Sequence, residues 1–151
     1  MRPRAALAAT DLGYAAFTER NHPRYTRYAH ARLAQAAHVT AAVNATLMYA
    51  QEDWYWLLGQ PSLAADVWEE LRYQVRAVSG AGSAQDPDVN RLYDRLPENS
   101  ADSVLLCHRL GFAVGEAAEL MGLEIATVHA GLAVAHRALP QPAERGSRTH
   151  S

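Results

Sequence analysis

The chain has 151 residues, 49% of them hydrophobic, so a packed core is feasible and either one medium domain or two small ones can form. The formal net charge is −2 and the sequence pI about 6.4, which excludes a globally basic nucleic-acid binder and leaves any DNA affinity to a local patch. A single cysteine excludes an internal disulfide and fits a reducing cytoplasm, and no apolar run approaches the length of a membrane span.

Alanine is abundant and every basic side chain is an arginine, so the composition leans all-α. Residues 1–11 read as a flexible arm, too weakly hydrophobic for a secretory signal. A first helix is predicted from Leu12 to Arg20, broken at Asn21-His22-Pro23. A second starts at Pro23, with Tyr25, Tyr28, Ala29, Leu33 and Ala36 as its apolar stripe. Val39, Val43, Leu47, Ala50, Trp54 and Leu58 predict a third helix from His38 to Leu58. Gly59-Gln60-Pro61 ends it, and Ser62 is the expected N-cap of a fourth helix that buries Val67, Trp68, Leu71, Val75 and Val78. Glycine, serine and proline gather in 79–88, SGAGSAQDPD, which reads as a flexible linker. Asp88 then opens a helix through Val89, Leu92, Tyr93 and Leu96, and the polar, proline-interrupted 140–151 reads as a disordered tail.

The most informative stretch is Leu96 to Leu139. It predicts three short helices, the last two joined at Met121-Gly122-Leu123. Ala117, Ala118, Leu120 and Met121 form a narrow apolar side, and Gly122 can adopt the positive φ of a helix end. Val128, Leu132, Ala135 and Leu139 recur at helical spacing on the helix that follows. This is the layout of a helix-turn-helix, whose final helix can enter a DNA major groove; an ordinary helical hairpin is the alternative. The expected fold is therefore all-α, two small helical modules (12–78 and 89–139) joined by a short linker, with a C-terminal helix-turn-helix.

Residues 96–139 resemble region 4 of the sigma-70 family, in its compact extracytoplasmic-function type. The resemblance rests on Leu96-Pro97-Glu98, Gly111-Phe112, Glu116 to Leu123 through the turn, Thr127-Val128, and Ala135-His136-Arg137-Ala138-Leu139. LuxR-type regulators share the middle of this pattern, whereas the Leu-Pro-Glu start and the final Ala-x-Arg-x-Leu favour sigma. The first module is similar to sigma region 2 in order and size, with Phe17, Tyr25, Tyr28, Ala29 and Leu33 where such factors place core helices. The resemblance implies a bacterial transcription protein whose region 4 reads a −35-type promoter element and whose region 2 docks on core RNA polymerase.

The departures concern both contacts. The family's acidic pair, which helps engage the polymerase clamp helices, is replaced by Thr40 and Ala41. The following segment, where the family holds basic and aromatic residues, contains Gln51-Glu52-Asp53 and Glu69-Glu70. Trp54, Tyr55, Trp56 and Trp68 could stack on unpaired bases, but at helical spacing Trp54 and Trp68 read as core. On the recognition helix, Thr127, His129, Ala130, Ala133, Val134 and Arg137 project away from the apolar stripe. Few of them are basic, and each lost phosphate contact removes about one unit of log–log salt slope. Gly131 should cost that helix about 1 kcal/mol relative to alanine, and Glu124 at its start would repel a phosphate. The residues expected at DNA are Thr127, His129, Ala130 and Arg137, with Arg109 as a phosphate contact and Arg91 and Arg95 as further flanking cations.

Cys107 reads as a small buried hydrophobe. His108, His129 and His136 lack metal-ligand spacing, and there is neither a phosphate loop nor a nucleophile motif, so neither an enzyme nor a cofactor is expected. The expected function is cytoplasmic promoter recognition with RNA polymerase, under a possible anti-sigma or other regulatory protein. Two alternatives stay open. One is a degenerate sigma-like adaptor that binds protein with little DNA affinity; the other is a true helix-turn-helix attached to an unrelated dimerisation or ligand-sensing bundle.

Overall fold

A computed structural model describes residues 4–79 and 84–139, and among these it is all-helical, with no strand. The tail at 140–151 and the centre of the linker, 80–83, lie outside the described residues. The helices are α1 (Arg4–Arg32), α2 (Ala36–Glu52), α3 (Trp54–Leu58), α4 (Leu63–Ser79), α5 (Pro87–Arg95), α6 (Glu98–Val104), α7 (Val114–Met121) and α8 (Ile125–Ala138), with a π-helical turn Leu105–Arg109 after α6. None of them is long and apolar enough to cross a membrane alone.

The largest departure from the sequence reading is α1. One 29-residue helix takes in residues 4–11 of the expected arm and the two helices expected on either side of Asn21-His22-Pro23, and Pro23 lies inside it, while 1–3 lie outside the described residues. Proline in a helix interior removes one ladder bond and costs about 3 kcal/mol. Burial on the far side offsets this, because Tyr25, Tyr28, Ala29 and Leu33 are all 2% exposed or less. Upstream, the Asn21 side chain donates to the Phe17 carbonyl at 3.1 Å, and Phe17 packs edge-on against Tyr25. Local propensity marks a break that tertiary packing overrides.

The other first-segment helices follow the sequence closely. The expected His38–Leu58 helix is α2 and α3, interrupted at Asp53, and at its end Leu57 is buried in place of the expected Leu58, which is 52% exposed. Ser62 caps α4, its hydroxyl accepting from the Ala65 N–H at 3.1 Å. Trp54 and Trp68 are buried, as core. The cap of α5 is Asp86 rather than Asp88: the Asp86 carboxylate accepts from the Asp88 N–H at 2.8 Å, with Pro87 in the first turn. Asn90 further ties the Ala84 backbone by two hydrogen bonds, so the end of the expected linker is built into the start of α5.

One hydrophobic core runs through both segments, from Tyr25, Leu47 and Trp68 to Leu106, Met121 and Val128. At its centre is Asp102, which is completely buried. Its carboxylate accepts from the Tyr28 hydroxyl (2.8 Å), the Trp68 indole N–H (3.0 Å), Arg72 Nε (2.8 Å) and the Tyr93 hydroxyl. These donors come from α1, α4 and α5, so a single side chain of α6 binds the two segments together. Four donors on one carboxylate satisfy a buried charge that would otherwise be costly. Arg32 closes the cluster, its guanidinium 3.6 Å from the centre of the Tyr93 ring and bonded to the Tyr28 hydroxyl at 2.6 Å.

A candidate nucleic-acid interface

The helix-turn-helix is built by two glycines. After the π-helical turn, Gly111 takes φ +78° and lets the Phe112 N–H reach back to the Leu106 carbonyl at 2.8 Å. After α7, Gly122 takes φ +69°; the Leu123 N–H bonds the Ala118 carbonyl at 2.9 Å and the Gly122 N–H bonds the Glu119 carbonyl at 3.3 Å. That pair of bonds is a Schellman closure, which ends α7 and redirects the chain. α8 leaves at 108° to α7, within the range of helix-turn-helix corners.

α8 packs on α6 and α7. Val128 and Ala135 are buried, whereas Leu132 and Leu139 of the expected stripe are only partly so. Gly131 is buried between them, where a Cβ would meet the Ser103 hydroxyl at 3.2 Å and the Ser100 Cα at 3.4 Å. Its cost in helix propensity therefore accompanies the close approach of α8 to α6. The opposite side of α8 is open: Thr127, His129, Ala130, Ala133 and Arg137 are exposed, and Ile125 is 53% exposed at the start of the helix. Val134, expected on this side, is half-buried. Thus four of the five expected DNA-facing residues share one solvent-facing side of a single helix.

The fifth does not join them. Arg109 ends the π-helical turn and its guanidinium is ion-paired with Asp86, with Asp88 4.0 Å away. Arg91 is held by Asp88 at 2.7 Å. Both arginines are engaged by the acidic start of α5, so Arg109, expected as a phosphate contact, stands away from the α8 face and already in an ion pair. Among the described residues Arg137 forms no ion pair, and Arg95 is likewise exposed and unpaired. His136 is exposed, and Glu124 stands exposed at the α8 N-terminus.

The exposed edge of α7 is tied to α1. Glu119 receives Arg20 at 2.6 and 2.9 Å and Arg24 at 3.0 Å, while Glu116 receives Arg24 at 3.4 Å and the Ala113 N–H at 3.2 Å. The Arg20 hydrogen bond, with help from Arg24, holds the Glu119 carboxyl below its usual range. On the same end of the molecule, Arg27 donates to the Leu110 carbonyl and lies 4.5 Å from the centre of the Phe112 ring.

Sequence reasoning missed Asp102. A lone carboxylate within Ala101-Asp102-Ser103-Val104-Leu105-Leu106 was the available signal, but its partners lie 9 to 74 residues away. Burial would lower the Arg72 pKa, yet the Asp102 charge and hydrogen bond hold it above its ordinary value. Burial first, and then the Asp102 charge, raises Tyr28 and Tyr93. Cys107 is partly buried against the core, and burial pushes its thiol up, away from the reactive thiolate. Among the described residues no three His, Cys, Asp or Glu side chains gather as metal ligands.

Comparison with protein-family models, with curated proteins and with solved structures finds no match to this chain.

Proposed function

We propose that the chain is a sigma-type helix-turn-helix transcription protein in which α8 enters the major groove of promoter DNA and RNA polymerase is the partner. The observation that carries this reading is the open outer side of α8. It stands at 108° to α7 and presents Thr127, His129, Ala130 and Arg137 together. Thr127 and His129 supply groups that can meet base edges, Ala130 permits close approach, and Arg137 meets a phosphate. Electrophoretic mobility shifts on the DNA upstream of its own coding region, from low to physiological salt, test the reading. Sequence-specific retardation at low salt is expected, and its complete absence would overturn the proposal.

A second reading, a protein-binding adaptor of the same architecture, is favoured by one observation. Most of the arginines around the helix-turn-helix are already engaged: Arg109 with Asp86, Arg91 with Asp88, and Arg20 and Arg24 with Glu119. The basic cover that secures a duplex is correspondingly thin. Incubation with purified core RNA polymerase, followed by size-exclusion chromatography, separates the two. Co-elution with core supports the sigma-type reading, and failure to co-elute together with absent DNA binding supports the adaptor.

A further inference from the structure

One face of α1 runs along the second segment. Arg20, Arg24, Arg27, Tyr28 and Arg32 recur at helical spacing over about 18 Å. In that order they reach Glu119 and Glu116 of α7, the Leu110 carbonyl and Phe112 ring, Asp102 of α6, and the Tyr93 ring of α5. Helix α4 adds Arg72, which bonds Asp102 at 2.8 Å and also Asn99, and Arg76, which bonds Glu98 at 2.7 Å. Two helices of the first segment thus hold α5, α6 and α7. α8 lies on α6 and α7, and its outer side is exposed while all these ties are in place.

Parting the segments would carry a penalty and bring α8 nothing. Asp102, which is completely buried, would lose Tyr28, Trp68 and Arg72 and keep an uncompensated charge. Glu116 and Glu119 would lose Arg24 and Arg20, leaving two bare carboxylates on the helix before α8, where they would repel phosphates. The mount of α8 would loosen too. Helix α6 carries Asp102 and also seats Gly131 of α8 against Ser100 and Ser103.

We infer that the closed unit is itself the DNA-binding form, and that it reads one uninterrupted stretch of duplex through α8. The inference rests on the reading of α8 as a groove-entering helix and adds how much DNA the chain engages. A compact chain of 151 residues is about 40 Å across. At roughly 3.4 Å per base pair it covers about 12 base pairs. Segments that stay joined cannot address two elements spaced further apart than that. The first segment then serves DNA binding as the base that positions α8.

The test locks the segments together in the full chain, with Cys107→Ala to remove the native thiol. Arg20→Cys/Glu119→Cys is bridged by a short bis-maleimide; the native side chains there are 56% and 51% exposed. Arg76→Cys/Glu98→Cys locks α4 to α6 in the same way. The unbridged form of each variant is its control, and the probe is the DNA upstream of the protein's own coding region, at low salt. Each bridged protein is expected to bind within about twofold of its control. Hydroxyl-radical footprinting should show a single protected region no longer than about 12 base pairs. Weakening of about tenfold or more by either bridge, with the control still bound, would overturn the inference and leave the reading of α8 standing. Two protected regions separated by accessible base pairs would do the same. Absence of binding by the unsubstituted chain would remove both.

Discussion

Gly122 and Ala65 meet backbone to backbone: a Cβ on Gly122 would stand 2.3 Å from the Ala65 nitrogen and 2.7 Å from its Cα. The corner of the helix-turn-helix is thus pressed against the first turn of α4, and the residue that turns the chain is also the one that lets it seat. Gly122→Ala is expected to cost about 2–5 kcal/mol, from the left-handed backbone and the collision together. Gly111→Ala, at φ +78° with nothing within 4 Å, should cost only about 1–2 kcal/mol. Urea unfolding followed by circular dichroism compares the two, and equal losses would show that α4 does not constrain the corner.

Removal of the Asp102 carboxylate should loosen the whole chain rather than one helix. Asp102→Ala leaves Arg72 without its buried partner and three further donors without an acceptor, for an expected loss of about 3–5 kcal/mol. Hydrogen exchange should rise in α1 and α4 as well as in α6. A loss below about 1 kcal/mol in denaturant would show that the cluster does not join the segments.

Alkaline pH should unfold the protein. Burial raises Tyr25, Tyr28 and Tyr93 above the ordinary value of 10.0, so the unfolded chain gives up these protons first. The stability they contribute is complete below pH 10 and falls above it, by about 1.4 kcal/mol per pH unit for each tyrosine that stays protonated in the fold. Tyrosinate absorbance should therefore appear in part only with loss of helix. Ionisation of all seven tyrosines with one common midpoint near pH 10 in a folded chain would contradict the burial.

The tie between α1 and α7 should weaken in acid and in salt. Glu119 is held below its usual carboxylate range, so the stability from its arginine partners is present above the unfolded value and is lost as pH falls through the lowered folded one. A double-mutant cycle between Arg24 and Glu119 should show coupling at neutral pH and low salt, and little at high salt. Coupling that is indifferent to both would argue against an ion pair.

The two arginines expected at DNA should behave differently. Arg137→Ala should reduce the log–log salt slope of DNA binding by about one unit. Arg109→Ala should leave that slope unchanged and instead loosen the start of α5, because its guanidinium is spent on Asp86. A loss of slope in Arg109→Ala would restore it as a phosphate contact.

The helical class, the apolar stripes of α2 and α4, the Ser62 cap and the Gly122 corner are all legible in the sequence, because each follows from spacing or backbone preference within a few residues. The same locality misplaces the break at Pro23, since what holds α1 through it is the burial of Tyr25 and Tyr28 among residues distant in the chain. Thr127, His129, Ala130 and Arg137 were found together because helical periodicity puts them on one side of α8. The pairing of Arg109 with Asp86 spans 23 residues and no local pattern marks it. Asp102 makes the division plainest. Its position in a short helix is set by its neighbours, but its charge is tolerable only where Tyr28, Trp68, Arg72 and Tyr93 converge, and that convergence exists only once the segments on either side of the linker have packed into one core.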